Sequence, residues 1–468
     1  MQDDYVWYAK NVPPFIPSRF KGVIMRFHAL FSRGNALLAG ILFLSSVQAG
    51  LPAGKAAVAV KAAIGATQDI KDIEANKYFN DGIAFLEKNE FEKAASSFTK
   101  SLELNPDLAE THFNRGLAYA RQGKNALALE DFNKTIEIDP KHVKAYINKG
   151  LVFDGEKDHL KAIEQYTKAI AVTDKDPQAY YFRAVAYVAL AKNDQAFEDF
   201  NKAVALDPDY ALAYNDRGYL NYSSGKFKEA IADFHRSLTL KPKDIKAIFN
   251  LGLVYLNFSH PDSALRYFTE AIALDTVYGK AYLNRGLAYA AQSRDREAIN
   301  DYTKAISINP NDGETYKYRG LSNALLDKND LAIEDYKKAL TFMPQNSEVL
   351  CNLGMSYESV KNDSLALSMY TKAIEAYPQY RKAYAKRGAL EAKMGRLDAA
   401  IKDLSQAIAI DSKDEAAYVE RARTYVKLKN NKLAVDDYNQ YLKLHGKKDA
   451  QTEQVAAWIK KLGGTPEK

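Results

Sequence analysis

The sequence predicts an all-α fold of stacked helical hairpins, and three observations predict it. A period of 34 residues runs through most of the 468-residue chain with no insertion or deletion. Within each period apolar residues recur at three- and four-residue spacing in two runs, which makes two amphipathic helices, A and B. Small, aromatic and proline residues then return at fixed positions where the packing of such a hairpin needs them.

In chain order, the first element is an address. From Met25 the sequence reads MRFHALFSRGNALLAGILFLSSVQAG. Arg26 and Arg33 precede an uncharged, mostly apolar run from Ala36 to Val47, which ends in Val47-Gln48-Ala49. A basic stretch, a short apolar run and a small-residue cleavage site form a secretory signal over residues 1–49. The run is too short to span a bilayer comfortably. No cysteine follows it, so no lipid anchor is expected. Residues 1–24 sit awkwardly ahead of such a signal, which makes Met25 the expected start. The mature chain is expected to be exported, periplasmic or secreted; an uncleaved membrane anchor reaching to about Gly54 is the alternative. Residues 50–74 are Ala-rich and read as a tether.

Counted from Ala75, eleven units follow. Position 8 holds Gly82, Gly116, Gly150, Ala184, Gly218, Gly252, Gly286, Gly320, Gly354, Gly388 and Ala422. Position 20 is alanine in every unit, from Ala94 to Ala434. Position 24 is aromatic in ten units, as at Phe98, Phe132, Tyr166 and Phe200, and is Leu404 in the other. Position 32 is proline in seven, among them Pro106, Pro208 and Pro310. A small residue at position 8 is expected to admit helix B, with alanine 20 facing it. The ring at 24 is expected to fill the gap between neighbouring units. Proline at 32 is expected to force the turn into the next unit.

These residues resemble the tetratricopeptide repeat family over residues 75–448, about four-fifths of the chain. The pentatricopeptide family has a similar period but lacks the alanine at 20 and the proline at 32. The resemblance implies a right-handed α-α superhelical solenoid in which helix A lines a concave groove. It also implies binding of peptide segments or partner proteins in that groove. After the array, Val455, Trp458, Ile459 and Leu462 share one helical face within residues 449–468. That segment is expected to cap the open apolar end of the last unit and then run into a tail.

Internal copies separate frame from site. Arginine stands at position 7 in seven units: Arg115, Arg183, Arg217, Arg285, Arg319, Arg387 and Arg421. The same seven carry aspartate at position 23: Asp131, Asp199, Asp233, Asp301, Asp335, Asp403 and Asp437. The other four lack both, pairing Asp81 with Ser97, Lys149 with Gln165, Leu251 with Tyr267 and Leu353 with Met369. Shifting the comparison by one unit destroys the match. An ion pair within each hairpin is therefore expected, serving the frame.

Asparagine at position 6 has no such companion. Asn80, Asn114, Asn148, Asn250, Asn284 and Asn352 stand there. An amide offers donor and acceptor together, which suits an extended peptide backbone, and the resemblance places position 6 on the groove. Position 5 is often large and apolar (Phe79, Phe113, Ile147, Tyr181, Phe249, Leu283), which predicts a greasy N-terminal groove. Toward the C-terminus the groove is expected to turn basic, with Lys317, Lys382, Lys386, Lys393, Arg423 and Lys427. Lys317, Asn352, Lys382 and Lys386 match positions of the carboxylate clamp of chaperone-binding members. Leu321 replaces that clamp's second asparagine, so the match is incomplete. The candidate peptide-binding residues are those six asparagines with Lys317, Lys382 and Lys386.

Composition narrows the function. An apolar content of 47% with 26% charged residues marks a folded chain. One cysteine, Cys351, excludes an internal disulfide framework and a cysteine zinc cage. The seven histidines, His28, His112, His142, His159, His235, His260 and His445, are scattered, so no metal or other cofactor is expected. The net charge of +6 sits at the ends: residues 1–71 carry +5 and 447–468 carry +2, leaving −1 for the body. A neutral body argues against nucleic-acid binding. There is no HExxH, no phosphate-binding glycine loop and no Ser/Cys–His constellation, so no enzyme is expected. The leading expectation is a non-enzymatic scaffold for a protein or peptide ligand, touching membrane only through its signal or anchor segment. A targeting or regulatory subunit of an envelope enzyme complex is the alternative. Neither the partner nor the oligomeric state is legible.

Overall fold

The computed structural model describes residues 71–467. The signal segment and nearly all of the expected tether lie outside the described residues. Those described are helices joined by turns, with no strand among them. They fall into two compact units, Met1–Ser224 and Gly225–Lys468. The first holds repeats 1–4 and helix A of repeat 5, beginning with the helix at 71–87. The second holds helix B of repeat 5, repeats 6–11 and a terminal helix.

The 34-residue period holds to the residue. From repeat 2 on, helix A starts at position 1, as in Ala109–Arg121, Gly313–Leu325 and Glu415–Lys427. Helix B starts at position 17, as in Phe91–Leu104 and Asp295–Ile308. Between them position 15 has positive φ in all eleven repeats, and only Gly123, Gly225 and Gly395 among these are glycine. Asn89, Lys157, Ala191, Ser259, Ser293, Asp327, Lys361 and Lys429 adopt the same left-handed geometry at φ 55–63°. The next amide closes the turn on position 11, as Lys124 N–H does on the Tyr119 carbonyl at 2.9 Å. That is a Schellman-type helix stop, and it tolerates the steric cost of a side chain at the left-handed residue.

The second turn narrows the expectation for proline. Helix B ends two residues before position 32 whether that residue is proline or not: Leu206 precedes Pro208, and Val172, Leu274 and Ile410 precede Asp174, Thr276 and Ser412. In every repeat from 1 to 10 that lacks the proline, and in some that have it, a position-31 side chain accepts the backbone N–H of position 33. Asp139, Thr173, Asp275 and Asp411 do so at 3.0, 3.3, 2.9 and 3.0 Å. Where position 31 is Lys241, Met343 or Tyr377, helix B stops at the same place with Pro242, Pro344 or Pro378 next, so proline serves the turn where no side chain caps it.

The glycine column also has a different partner from the one expected. A Cβ at Gly150 would lie 2.4 Å from Cε1 of Tyr166, and one at Gly286 2.5 Å from Cε1 of Tyr302. The ring at 24 thus lies flat on position 8 of its own hairpin, and the small residue there makes room for it. The same rings reach onward to the next repeat, as Tyr166 does to Phe182 at 5.9 Å and Tyr302 to Tyr318 at 6.2 Å. Phe98, Phe132, Tyr166, Phe200, Phe268 and Tyr302 are all essentially solvent-free. Each hairpin therefore hands a buried ring to its neighbour, and stacking supplies the burial one hairpin lacks.

The terminal helix Ala450–Lys461 opens with a capping box between Asp449 and Thr452. It buries Val455 and Ile459 against Val419, Ala422, Tyr438 and Tyr441 of repeat 11. The Trp458 ring packs tilted against Tyr438, 5.6 Å between centroids.

Candidate functional site

The frame has to be subtracted before a site can be seen. In six repeats the position-7 guanidinium grips its own position-23 carboxylate with two bonds of 2.6–3.1 Å, from Nε and Nη2. Arg217 and Asp233 belong to different units, so their pairing stands as an expectation from the sequence. The aspartates are buried and the arginines nearly so. The hydrogen bond to Asp301 raises the pKa of Arg285 against the opposing effect of burial. These groups hold helix register and leave no charge for a ligand.

The third arm of each guanidinium was not foreseen. Nη1 of Arg115, Arg183, Arg285, Arg319 and Arg387 donates to Thr99, Thr167, Thr269, Thr303 and Thr371 at 2.9–3.2 Å. Arg421 reaches Ser405 at 2.9 Å and Arg217 reaches Asn201 at 2.8 Å. Every acceptor is position 25 of the preceding repeat, so each arginine ties two hairpins together. The signal was present in the sequence: position 25 is Thr, Ser or Asn before every arginine repeat, but His235 and Lys337 before Leu251 and Leu353. Where Lys149 and Gln165 replace the pair, burial pushes the lysine pKa down.

Position 5 belongs mostly to the core, which corrects the greasy-groove reading. Phe113, Ile147, Tyr181 and Phe249 are buried. Their rings pack on position 24 of the same hairpin, with Phe113–Phe132 at 5.9 Å and Phe249–Phe268 at 5.6 Å. They also meet position 34, as in Phe113–His142, Tyr181–Tyr210 and Phe249–Tyr278 at 4.7–5.1 Å. A residue at position 5 is roofed by the loop that leads into the next helix A.

The position-6 asparagines do several things. In Asn114, Asn148 and Asn284 the amide Nδ2 donates to the carbonyl of position 2, at 2.7, 2.9 and 2.8 Å. One donor is thereby spent inside the helix. Asn114 is buried, Asn80 exposed, and Asn148, Asn250 and Asn284 are half-buried. Asn352 is buried and turns its Oδ1 to Nζ of Lys382, 3.3 Å away in the next repeat.

The basic residues expected along the C-terminal groove are largely answered from within the protein. Lys317 is buried between Glu314 at 2.5 Å and Glu348 at 3.5 Å, with the Tyr318 ring 4.5 Å away. Burial lowers its pKa, but the carboxylates and ring outweigh that and leave it raised. Lys393 pairs with Asp363 at 3.2 Å. Arg423 pairs with Glu420 at 2.7 Å and lies over Trp458 of the terminal helix. Lys427 donates to the Ala392 carbonyl at 2.9 Å. Glu314 and Glu420 lie one turn away on the same helix as the cations they meet, whereas Glu348 and Asp363 come from a neighbouring repeat, an adjacency that a linear sequence hides. Lys382 and Lys386, one helical turn apart on Arg381–Lys393 and half-buried near Asn352, have no carboxylate partner among the described residues. No cluster of three or more metal-ligating side chains occurs among the described residues, and none of their helices is long and apolar enough to cross a membrane.

The hairpin register, the ring column and the buried glycine contacts define a helical repeat protein, and comparison gives it a family. The chain belongs to the tetratricopeptide repeat family. Models described as TPR repeat match residues 82–123 and 186–225. Models described as tetratricopeptide repeat match 109–142 and 279–312, then 143–176, 211–244, 245–278, 347–380 and 415–446, and 364–415. Several of these bounds coincide with the repeat boundaries above. Among solved structures the chain is similar to MamA, at 26% identity over 37% of this chain and 94% of that one, with a TM-score of 0.34. It is similar to YrrB, described as a TPR protein with an unusual peptide-binding site, at 26% identity over 39% and 94%, TM-score 0.35. Yeast Tom70 matches at 16% identity over 84% and 96%, TM-score 0.40. A comparison with curated proteins returned no match.

Proposed function

We propose that this chain is a non-enzymatic protein-interaction scaffold whose helix-A face in repeats 8–10 receives an acidic or carboxylate-terminated peptide segment. One observation carries the reading. After the ion pairs of the frame and the groove are assigned, Lys382 and Lys386 remain as neighbouring cations on one face, beside the Asn352 amide. A carboxylate entering there replaces the water around two ammonium groups with charge-assisted bonds. Half-exposed apolar side chains at position 9 of the adjoining helices, Leu321 and Met355, offer contact for the rest of a peptide. The array from residue 75 to 448 is the binding body, and the segment before residue 50 delivers it beyond the cytoplasm.

The test is affinity capture by the full chain from its own organism, beside the K382A/K386A variant. A partner captured by the wild type and lost from the variant supports the site. The same partners on both would overturn the site, and no specific partner on either would overturn the scaffold. N-terminal sequencing of the mature protein tests export: a chain that begins before residue 40 sinks cleavage.

A further inference from the structure

The turn between helices A and B carries an asymmetry that the helix-A face does not explain. In repeats 8–11, all within the second unit, positions 14 and 19 present Leu331, Val360, Leu365, Met394, Leu428 and Leu433, each 38–49% exposed. Elsewhere the equivalent positions are mostly polar, as with Lys88, Gln122, Glu156 and Gln292 at 14 and Lys93, Lys161, Glu229 and Glu297 at 19. The exceptions are isolated from one another in repeats 2, 4 and 6: Leu127, Leu190 and Phe258, the last packed on Phe227 and His260 at 5.7 and 5.0 Å. Structural equivalence makes this an internal control: the fold does not need an apolar residue there.

Successive turns abut, as Gln292 reaching Asp262 at 2.7 Å and Lys393 reaching Asp363 at 3.2 Å show. The apolar residues therefore form a continuous strip along four repeats. At roughly 10 Å per repeat it is about 40 Å long, and a hairpin edge two helices broad makes it about 20 Å wide. That offers on the order of 800 Å² per copy, what a standard-size interface uses on each side.

Charge along the strip names the occupant. The repeat 8 turn carries Asp327 and Asp330 against Lys328, a net −1. The turns of repeats 9 and 10 balance, with Lys361 against Asp363 and Arg396 against Asp398. The repeat 11 turn carries Lys429 and Lys432, a net +2. Asp327, Asp330, Lys429 and Lys432 are exposed, and their charges meet no ion-pair partner among the described residues. A surface acidic at one end and basic at the other is complementary to itself when turned end for end, which a two-fold axis does. We propose that the A–B turn edge of repeats 8–11 is a dimer interface, in which this strip packs antiparallel on the same strip of a second copy. The repeat 8 acids then face the partner copy's repeat 11 lysines.

Analytical ultracentrifugation of the full chain tests this. A concentration-dependent dimer is expected, abolished by Leu365→Glu, whose exposed position leaves the helical circular-dichroism signal intact. D327K/D330K and K429D/K432D should each weaken the dimer roughly 10-fold or more. An equimolar mixture of these two variants should form a heterodimer tighter than either homodimer. A chain that stays monomeric into the high micromolar range would overturn the proposal, as would a dimer indifferent to Leu365→Glu or to charge mixing. Co-sedimentation of a monomer with anionic vesicles, lost in Leu365→Glu, would overturn it in favour of a lipid surface.

Discussion

Asp301→Ala in repeat 7 puts a number on the arginine frame. Asp301 keeps 9% of its side-chain surface exposed and Arg285 17%, and two bonds of 2.7 and 2.8 Å join them. Removing one partner of a buried pair costs about 3–5 kcal/mol, because the other charge stays desolvated and unpaired. Arg285 retains a path to water, so the lower end applies: about 3 kcal/mol. Replacing both with leucine should cost much less, since the desolvation of two charges disappears along with their attraction. The double-mutant cycle should give a coupling of about 2 kcal/mol. Thr269→Val removes only the 3.2 Å bond from Arg285 to the preceding repeat, at about 1 kcal/mol, and its effect should appear in repeat 6 as well as repeat 7. A repeat array need not unfold in one step. Hydrogen exchange should therefore be read separately on helix Pro261–Leu274 of repeat 6 and on helices Gly279–Ala290 and Asp295–Ile308 of repeat 7. A coupling below about 0.5 kcal/mol would refute the argument, and so would a Thr269 effect confined to one repeat.

Three further expectations follow from the same geometry. Gly286→Val drives a side chain into the Tyr302 ring and should cost about 2 kcal/mol or more in urea melts; Tyr302→Leu, which removes the ring, should recover part of it. Ala191→Gly relieves a left-handed alanine at φ 55° and should stabilise by about 0.5–1 kcal/mol; a loss of stability would contradict the strain. His445 bridges Glu415 at 2.7 Å and Asp449 at 2.8 Å, and those two bonds raise its pKa. Its contribution to docking the terminal helix is thus full below the ordinary histidine value and lost as pH rises through the raised one. Trp458 fluorescence should report loosening on that alkaline side, absent in His445→Gln, and a variant with the same pH profile would exclude the bridge as its cause.

How much was legible turns on which contacts repeat. Eleven copies in one register supply their own alignment, so the helices, the hairpin and the Arg285–Asp301 pairing could all be read from residues alone. The Thr269 contact was equally written in the sequence, but it lies across a repeat boundary and needed a comparison with the preceding unit. The αL turn residue was hidden because eight of the eleven are not glycine.

What the sequence by itself determined is the period and the faces, because apolar spacing dictates which residues share a side of a helix. What only the tertiary structure decided is how one hairpin sits on the next. That offset roofs Phe113 and Phe249 at position 5, brings Glu348 to Lys317, and sends Lys427 to the Ala392 carbonyl. A groove that looked broadly basic is thereby reduced to Lys382 and Lys386 beside Asn352. Charges cancel by distance in space, and the distance between repeats is set by the packing of rings on glycines.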